Sequence, residues 1–153
     1  MDNALRVTMD YTAAFERTFE DDDWTRLTPF FAEDAVYEVR GGPYACRLKG
    51  RSAIFAGMKK SVDGLDRRCD DRQIELIDGP QVEETPAGKV VSLDWRVCYQ
   101  YGKAPRASFA GRTVATVADG RIVDLRDEYT DEDLEGFQRW MRDYGEGLDG
   151  AYV

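Results

Sequence analysis

Lys89-Val90-Val91-Ser92-Leu93-Asp94-Trp95-Arg96-Val97-Cys98-Tyr99-Gln100-Tyr101 alternates apolar and polar side chains along its length. A period of two marks a strand, whose successive side chains point to opposite faces of a sheet. Val91, Leu93, Trp95, Val97, Tyr99 and Tyr101 share one face; Val90, Ser92, Asp94, Arg96, Cys98 and Gln100 share the other. Turn signals bracket the run. Pro86-Ala87-Gly88 precedes it, and residues 102–105 lead into a second strand over 106–118. Asp119-Gly120 then reverses the chain into a third strand over 121–129. Residues 72–77 also alternate, with Pro80 interrupting, and supply a fourth. Strands joined by tight turns predict an antiparallel sheet.

Helical spacing dominates the first part of the chain. Ala4, Val7, Tyr11, Ala14, Phe15 and Thr18 predict an amphipathic helix over 3–20. The Asp21-Asp22-Asp23 run caps a shorter helix over 24–31, where Pro29 bends or ends the path. Residues 35–40 alternate as a strand with Tyr37 and Val39 on one face, and Gly41-Gly42-Pro43 breaks it. Glu33-Asp34 reads as turn chemistry. Ser52 reads as the cap of a third helix striped by Ile54, Met58, Val62 and Leu65. Thr130-x-x-Asp133 forms a capping box for a last helix over 131–144. The resulting layout has helices over about 3–31 and 51–66, strands over about 35–40 and 70–129, and the C-terminal helix. It is an α+β fold in a single domain spanning 1–153: a curved antiparallel or mixed sheet, with three to four helices over its concave face. Such a sheet leaves a conical, apolar hollow suited to a small molecule.

The 153 residues are 42% hydrophobic and 12% aromatic, enough for a real core, and carry a net charge of −9. That charge argues against nucleic acid or an anionic membrane as partner. No apolar run reaches membrane-span length and the N-terminus lacks a signal-peptide layout. Cys46, Cys69 and Cys98 are odd in number and have no Cys-x-x-Cys spacing, which reads as reduced thiols in a cytoplasmic protein. The chain has no histidine, so triads built on histidine and His-bearing zinc sites are excluded. Proton transfer falls to carboxylates, Tyr, Lys or thiols of shifted pKa, with no metal or organic cofactor implied.

One residue breaks its pattern. On the strand over 121–129, Asp127 stands in the apolar row of Val123, Leu125 and Tyr129. A carboxylate there must be paired, hydrogen-bonded or protonated, because an isolated buried charge is too costly. It is either a structural ion-pair member, with Arg96 as the natural partner, or the working acid/base of a pocket.

Phe30-Phe31-Ala32-Glu33-Asp34-Ala35-Val36-Tyr37 after two helices, Gly50-Arg51-Ser52-Ala53-Ile54 opening the third, and Asp119-Gly120-Arg121-Ile122 leading to Asp127 together resemble the nuclear-transport-factor-2-like superfamily, a cystatin-like α+β barrel. The nearest likeness is to its SnoaL-like, limonene epoxide hydrolase and ketosteroid isomerase branches. The isomerase's tyrosine, base and second carboxylate positions fall on Phe15, Val39 and near Thr113, so that mechanism is not carried over. SnoaL-like cyclases lean on a histidine that this chain lacks. The epoxide hydrolase is matched at Tyr37 and Asp127. Its Arg-x-Asp pair falls on Asp94 and Arg96 in reversed order, and its water-holding asparagine falls on Val39.

The resemblance implies a small-molecule enzyme of isomerase, cyclase, dehydratase or hydrolase type, acting on an apolar, oxygen-bearing substrate. Asp127 would be its acid/base, with Arg96 and Asp94 beside it and Tyr37 orienting the substrate. Phe15, Trp24, Phe31 and Val39 are expected in the cavity wall, with Met58, Cys98 and Tyr129. The alignment turns Asp94 and Arg96 inward and leaves Leu93, Trp95, Val97 and Tyr99 on the convex side, where a homodimer must cover them. The bare alternation reads the other way, with the polar face solvated. A non-catalytic ligand-binding or assembly module on the same scaffold is the alternative function.

Overall fold

The N-terminal apolar spacing forms helix α1 (Asn3–Asp21) in the computed structural model, which describes residues 2–153. Asp2 caps it by accepting from the backbone N–H groups of Ala4 (2.9 Å) and Leu5 (3.3 Å). A 3-10 turn over Trp24–Phe30, containing Pro29, leads into β1 (Phe31–Arg40). Then follow β2 (Cys46–Lys49), α2 (Arg51–Gly64), β3 (Asp71–Thr85), β4 (Gly88–Gln100), β5 (Ala107–Ala118), β6 (Arg121–Glu128) and α3 (Asp131–Tyr144). Thr130 caps α3 by accepting from the Asp133 N–H at 3.2 Å, as the sequence pattern expects.

The sheet order is β2-β1-β6-β5-β4-β3. Every neighbouring pair is antiparallel except β1 and β6, which run parallel and pair Tyr37 with Leu125 and Val39 with Asp127. Register shifts between Phe31 and Val36, and along β3 between Leu76 and Gln81, bend the strands. The sheet curves but stays open, with β2 and β3 as its two edges, so it is a cone and not a closed barrel.

Several local expectations need correction. Glu33 and Asp34 lie inside β1 at its bulge and are not a turn. Helix α2 is entered through Gly50 at φ 89°, without a side-chain cap, so Ser52 is not its cap. Pro80 does not end β3, because the strand passes it at a register shift. The four residues of β2 are too few for a periodic signal and were missed.

Two apolar clusters flank the concave side. Leu27, Phe31, Ile54, Ile122 and Leu125 are fully buried around α1 and α2. Tyr99, Phe109, Phe137, Trp140 and Leu148 form the other under α3, where Trp140 Nε1 donates to the Pro105 carbonyl at 2.7 Å. On β4 the aromatic row faces inward: Val97 and Tyr99 are buried and Trp95 packs edge-on to Tyr129. This reverses the alignment-based placement. Leu93, Trp95, Val97 and Tyr99 face the hollow on the concave side, the last three packed with residues of α3, and the demand for a partner across that face disappears. Burial decides it, since the apolar side of a two-faced strand goes where other elements can cover it. Among the described residues no helix is long and apolar enough to cross a membrane.

Candidate functional site

A cavity of about 540 Å³ lies between the concave sheet face, the three helices and the C-terminal segment. Its walls are largely aromatic. Six of the chain's eight tyrosines line it (Tyr11, Tyr37, Tyr44, Tyr99, Tyr129 and Tyr152), giving an apolar surface studded with hydroxyl tips. Gly111 makes the floor possible. A Cβ there would lie 2.7 Å from Trp95 Cζ2 and 2.9 Å from Tyr129 Cε1, so only glycine lets both rings fold over β5.

Asp127 forms one polar pole. Strand pairing sets it between Val39 on β1 and Thr113 on β5. Tyr37, two residues from Val39 on the same face, donates its hydroxyl to Asp127 Oδ2 at 2.5 Å. Thr113 donates to Oδ1 at 2.7 Å, and Trp95 Nε1 donates to the Thr113 hydroxyl at 2.8 Å. Each carboxylate oxygen accepts one bond and keeps a lone pair, and the residue's remaining accessible surface opens on the cavity. Burial raises the Asp127 carboxyl above the usual carboxylate value of 3.8, against the downward pull of Tyr37 and Thr113; Glu128 adds to the rise. Burial, and next the Asp127 charge, holds the Tyr37 and Tyr11 hydroxyls well above their ordinary pKa, so both remain protonated donors.

A second pole lies where α1, the segment after α2, and β3 meet. Arg72 donates from Nε to Asp66 Oδ2 at 2.6 Å and from Nη1 and Nη2 to Glu16 at 2.6 and 3.3 Å. Tyr99 donates its hydroxyl to the same Asp66 oxygen at 3.0 Å. The Arg72 side chain is 8% exposed and that of Asp66 12%, whereas Glu16 is 40% exposed. Burial raises the Asp66 carboxyl despite Arg72 and Tyr99. Among the described residues no cluster of three or more His, Cys, Asp or Glu side chains is arranged to hold a metal ion.

Of the residues expected at the site, Asp127, Tyr37, Phe15, Val39, Met58 and Tyr129 line the cavity. Arg96 and Asp94 do not. Both point to the convex face, where Arg96 donates to Ser108 Oγ at 3.1 Å and Asp94 pairs with Arg112 at 2.8 Å. The expected Arg96–Asp127 pair is therefore absent, and Cys98 follows Arg96 outward by the same alternation. Phe31 is wholly buried against Tyr11 and Phe55, behind the cavity wall. Trp24 packs outside it against Phe15 and donates to Asp22.

Tyr152, Thr113 and the Glu16–Arg72–Asp66 cluster were not assigned to the site from the sequence. Tyr152 lies beyond the last helix in a stretch without periodicity, yet packs against Tyr37 at 5.7 Å between ring centroids. It is admitted by Gly57, whose Cβ would sit 3.1 Å from the Tyr152 carbonyl. Thr113 carried one signal, a hydroxyl in an inward-facing row of a strand neighbouring Asp127.

The SnoaL-like domain model matches residues 11–125. Bal32a, from a soil-derived mobile gene cassette, is 22% identical with a TM-score of 0.60, covering 91% of this chain and 98% of its own. A candidate polyketide cyclase from Xanthomonas campestris is 23% identical at TM-score 0.57, over 92% of this chain and 98% of its own. A candidate isomerase from Bacillus subtilis is 19% identical at TM-score 0.62, over 90% and 96%. At these identities the likenesses show the fold. No curated protein matches the sequence significantly.

Proposed function

The chain belongs to the SnoaL-like domain family, and on that premise we propose a small-molecule enzyme that moves protons with Asp127. The observation that carries this reading is a carboxylate facing an apolar cavity, satisfied by two hydroxyls and, among the described residues, by no cation. Desolvation makes it a stronger base than a solvated aspartate while leaving it a free lone pair on each oxygen. Its task is to take a proton from a carbon beside a carbonyl, or from a hydroxyl, and return it elsewhere on the same apolar, oxygen-bearing molecule. Tyr11, Tyr129 and Tyr152, kept protonated by burial, are the donors available to a developing oxyanion. Isomerisation or cyclisation fits this set, in keeping with the candidate cyclase and isomerase of like fold. Hydrolytic ring opening fits less well, because Arg96 and Asp94 lie on the opposite face of the sheet.

A non-catalytic binding module is the second reading. It is favoured by the fact that both Asp127 oxygens already accept hydrogen bonds, as a merely structural carboxylate's would. Deuterium exchange at the α-carbons of 2-tetralone in D2O, followed by NMR, separates the two. Exchange above the buffer rate that Asp127→Asn abolishes supports the enzyme. Binding of the ketone without any exchange supports the module.

A further inference from the structure

We infer that the cavity admits neutral molecules and rejects anionic ones, so that its substrate carries hydroxyl or carbonyl oxygens but no ionised carboxylate, sulfate or phosphate. This rests on reading the cavity as a small-molecule site. It follows from the charges that face the hollow. Among the described residues these are Asp127, Asp66, Glu16 and Arg72: three carboxylates against one guanidinium.

Arg72 is not free to receive an anion. Its Nε is held by Asp66, both terminal nitrogens by Glu16, and the guanidinium carbon lies 4.8 Å over the Phe19 ring. A ligand carboxylate would have to displace one of these partners and leave it uncompensated near the cavity. At the other pole Asp127 is bonded only by neutral hydroxyls, so an anion nearby meets repulsion or forces Asp127 to take up a proton. Low-dielectric walls weaken neither effect. Glu16, which is partly exposed, contributes the most screened of the three negative charges. The remaining polar groups around the hollow, chiefly tyrosine hydroxyls, suit neutral oxygens, which need a hydrogen bond and no counter-charge. The net charge of −9 acts in the same direction at longer range.

The test compares two probes of nearly equal shape, 2-naphthamide and 2-naphthoate, by fluorescence titration of the full chain at pH 7.5. The amide should bind and the carboxylate should bind at least tenfold more weakly. Asp127→Asn, which removes one negative charge at constant size, should narrow that gap by raising the affinity for 2-naphthoate. Equal or tighter binding of 2-naphthoate by the wild-type protein overturns the inference and leaves the cavity's role as a ligand site standing. A gap that Asp127→Asn leaves unchanged overturns the electrostatic cause assigned to it. Failure of both probes to bind sinks the reading of the cavity as a small-molecule site, and the inference with it.

Discussion

Asp127 and Asp66 both face one cavity from buried positions, and the chain satisfies them in opposite ways. Asp66 accepts from a guanidinium and a tyrosine hydroxyl, and its charge is offset by the Arg72 cation that it shares with Glu16. Asp127 accepts from Tyr37 and Thr113, which supply hydrogen bonds but no positive charge. The first arrangement locks three chain segments together, since Arg72 also binds Glu16 of α1. The second leaves a carboxylate whose protonation state can change without breaking an ion pair. A buried acid can serve architecture or proton transfer, and the nature of its donors separates the two.

The contrast can be broken by exchanging what each group is asked to do. The largest effect belongs to Asp127→Asn, which should lower the 2-tetralone exchange rate by roughly 10²–10⁴-fold, the usual contribution of a positioned general base. The variant should stay folded by circular dichroism. Asp66→Ala should act on stability instead. It removes a partner from a nearly buried pair, and because Glu16 still holds Arg72 the loss in urea denaturation should be about 3 kcal/mol, the low end for such pairs. A loss no greater than that of Asp127→Asn would erase the distinction drawn between the two acids.

A smaller effect sharpens the comparison through pH. Because the folded protein raises the Asp127 carboxyl, it keeps a proton there at pH values where the unfolded chain has lost it. Stability from this group is therefore greatest at low pH and declines as pH rises from about 3.8 through the raised folded value. Asparagine does not titrate. The stability of Asp127→Asn relative to wild type should thus climb across that window and stay flat below it, as measured by thermal melts from pH 3 to pH 8. A relative stability that falls as pH rises would show a carboxyl lowered by folding.

Much of the architecture was written in local patterns. The alternation of β4, the stripe of α1 and the capping box at Thr130 each follow from nearest-neighbour chemistry, and the elements they predict are present. The same alternation left the inward face of β4 open. The family resemblance points Asp94 and Arg96 inward, whereas covering Trp95 and Tyr99 is the stronger physical demand. Asp127, Tyr37 and Val39 were legible because each sits on a strand whose period fixes its face. The Glu16–Arg72–Asp66 cluster was not, since it joins segments far apart in the chain through packing angles that no local period encodes. Tyr152 lies in an aperiodic segment whose route is set by close approach to α2 at Gly57 and Gly64.

The most direct test of the central claim is a ¹³C NMR titration of the Asp127 carboxyl in the folded protein. A buried carboxylate without a cationic partner should titrate with a midpoint above 3.8, and 2-naphthamide filling the cavity should move that midpoint further up as water is excluded. A midpoint at or below 3.8, unmoved by the ligand, would mean a hydrated or charge-paired group and would contradict the assignment of proton transfer to this residue.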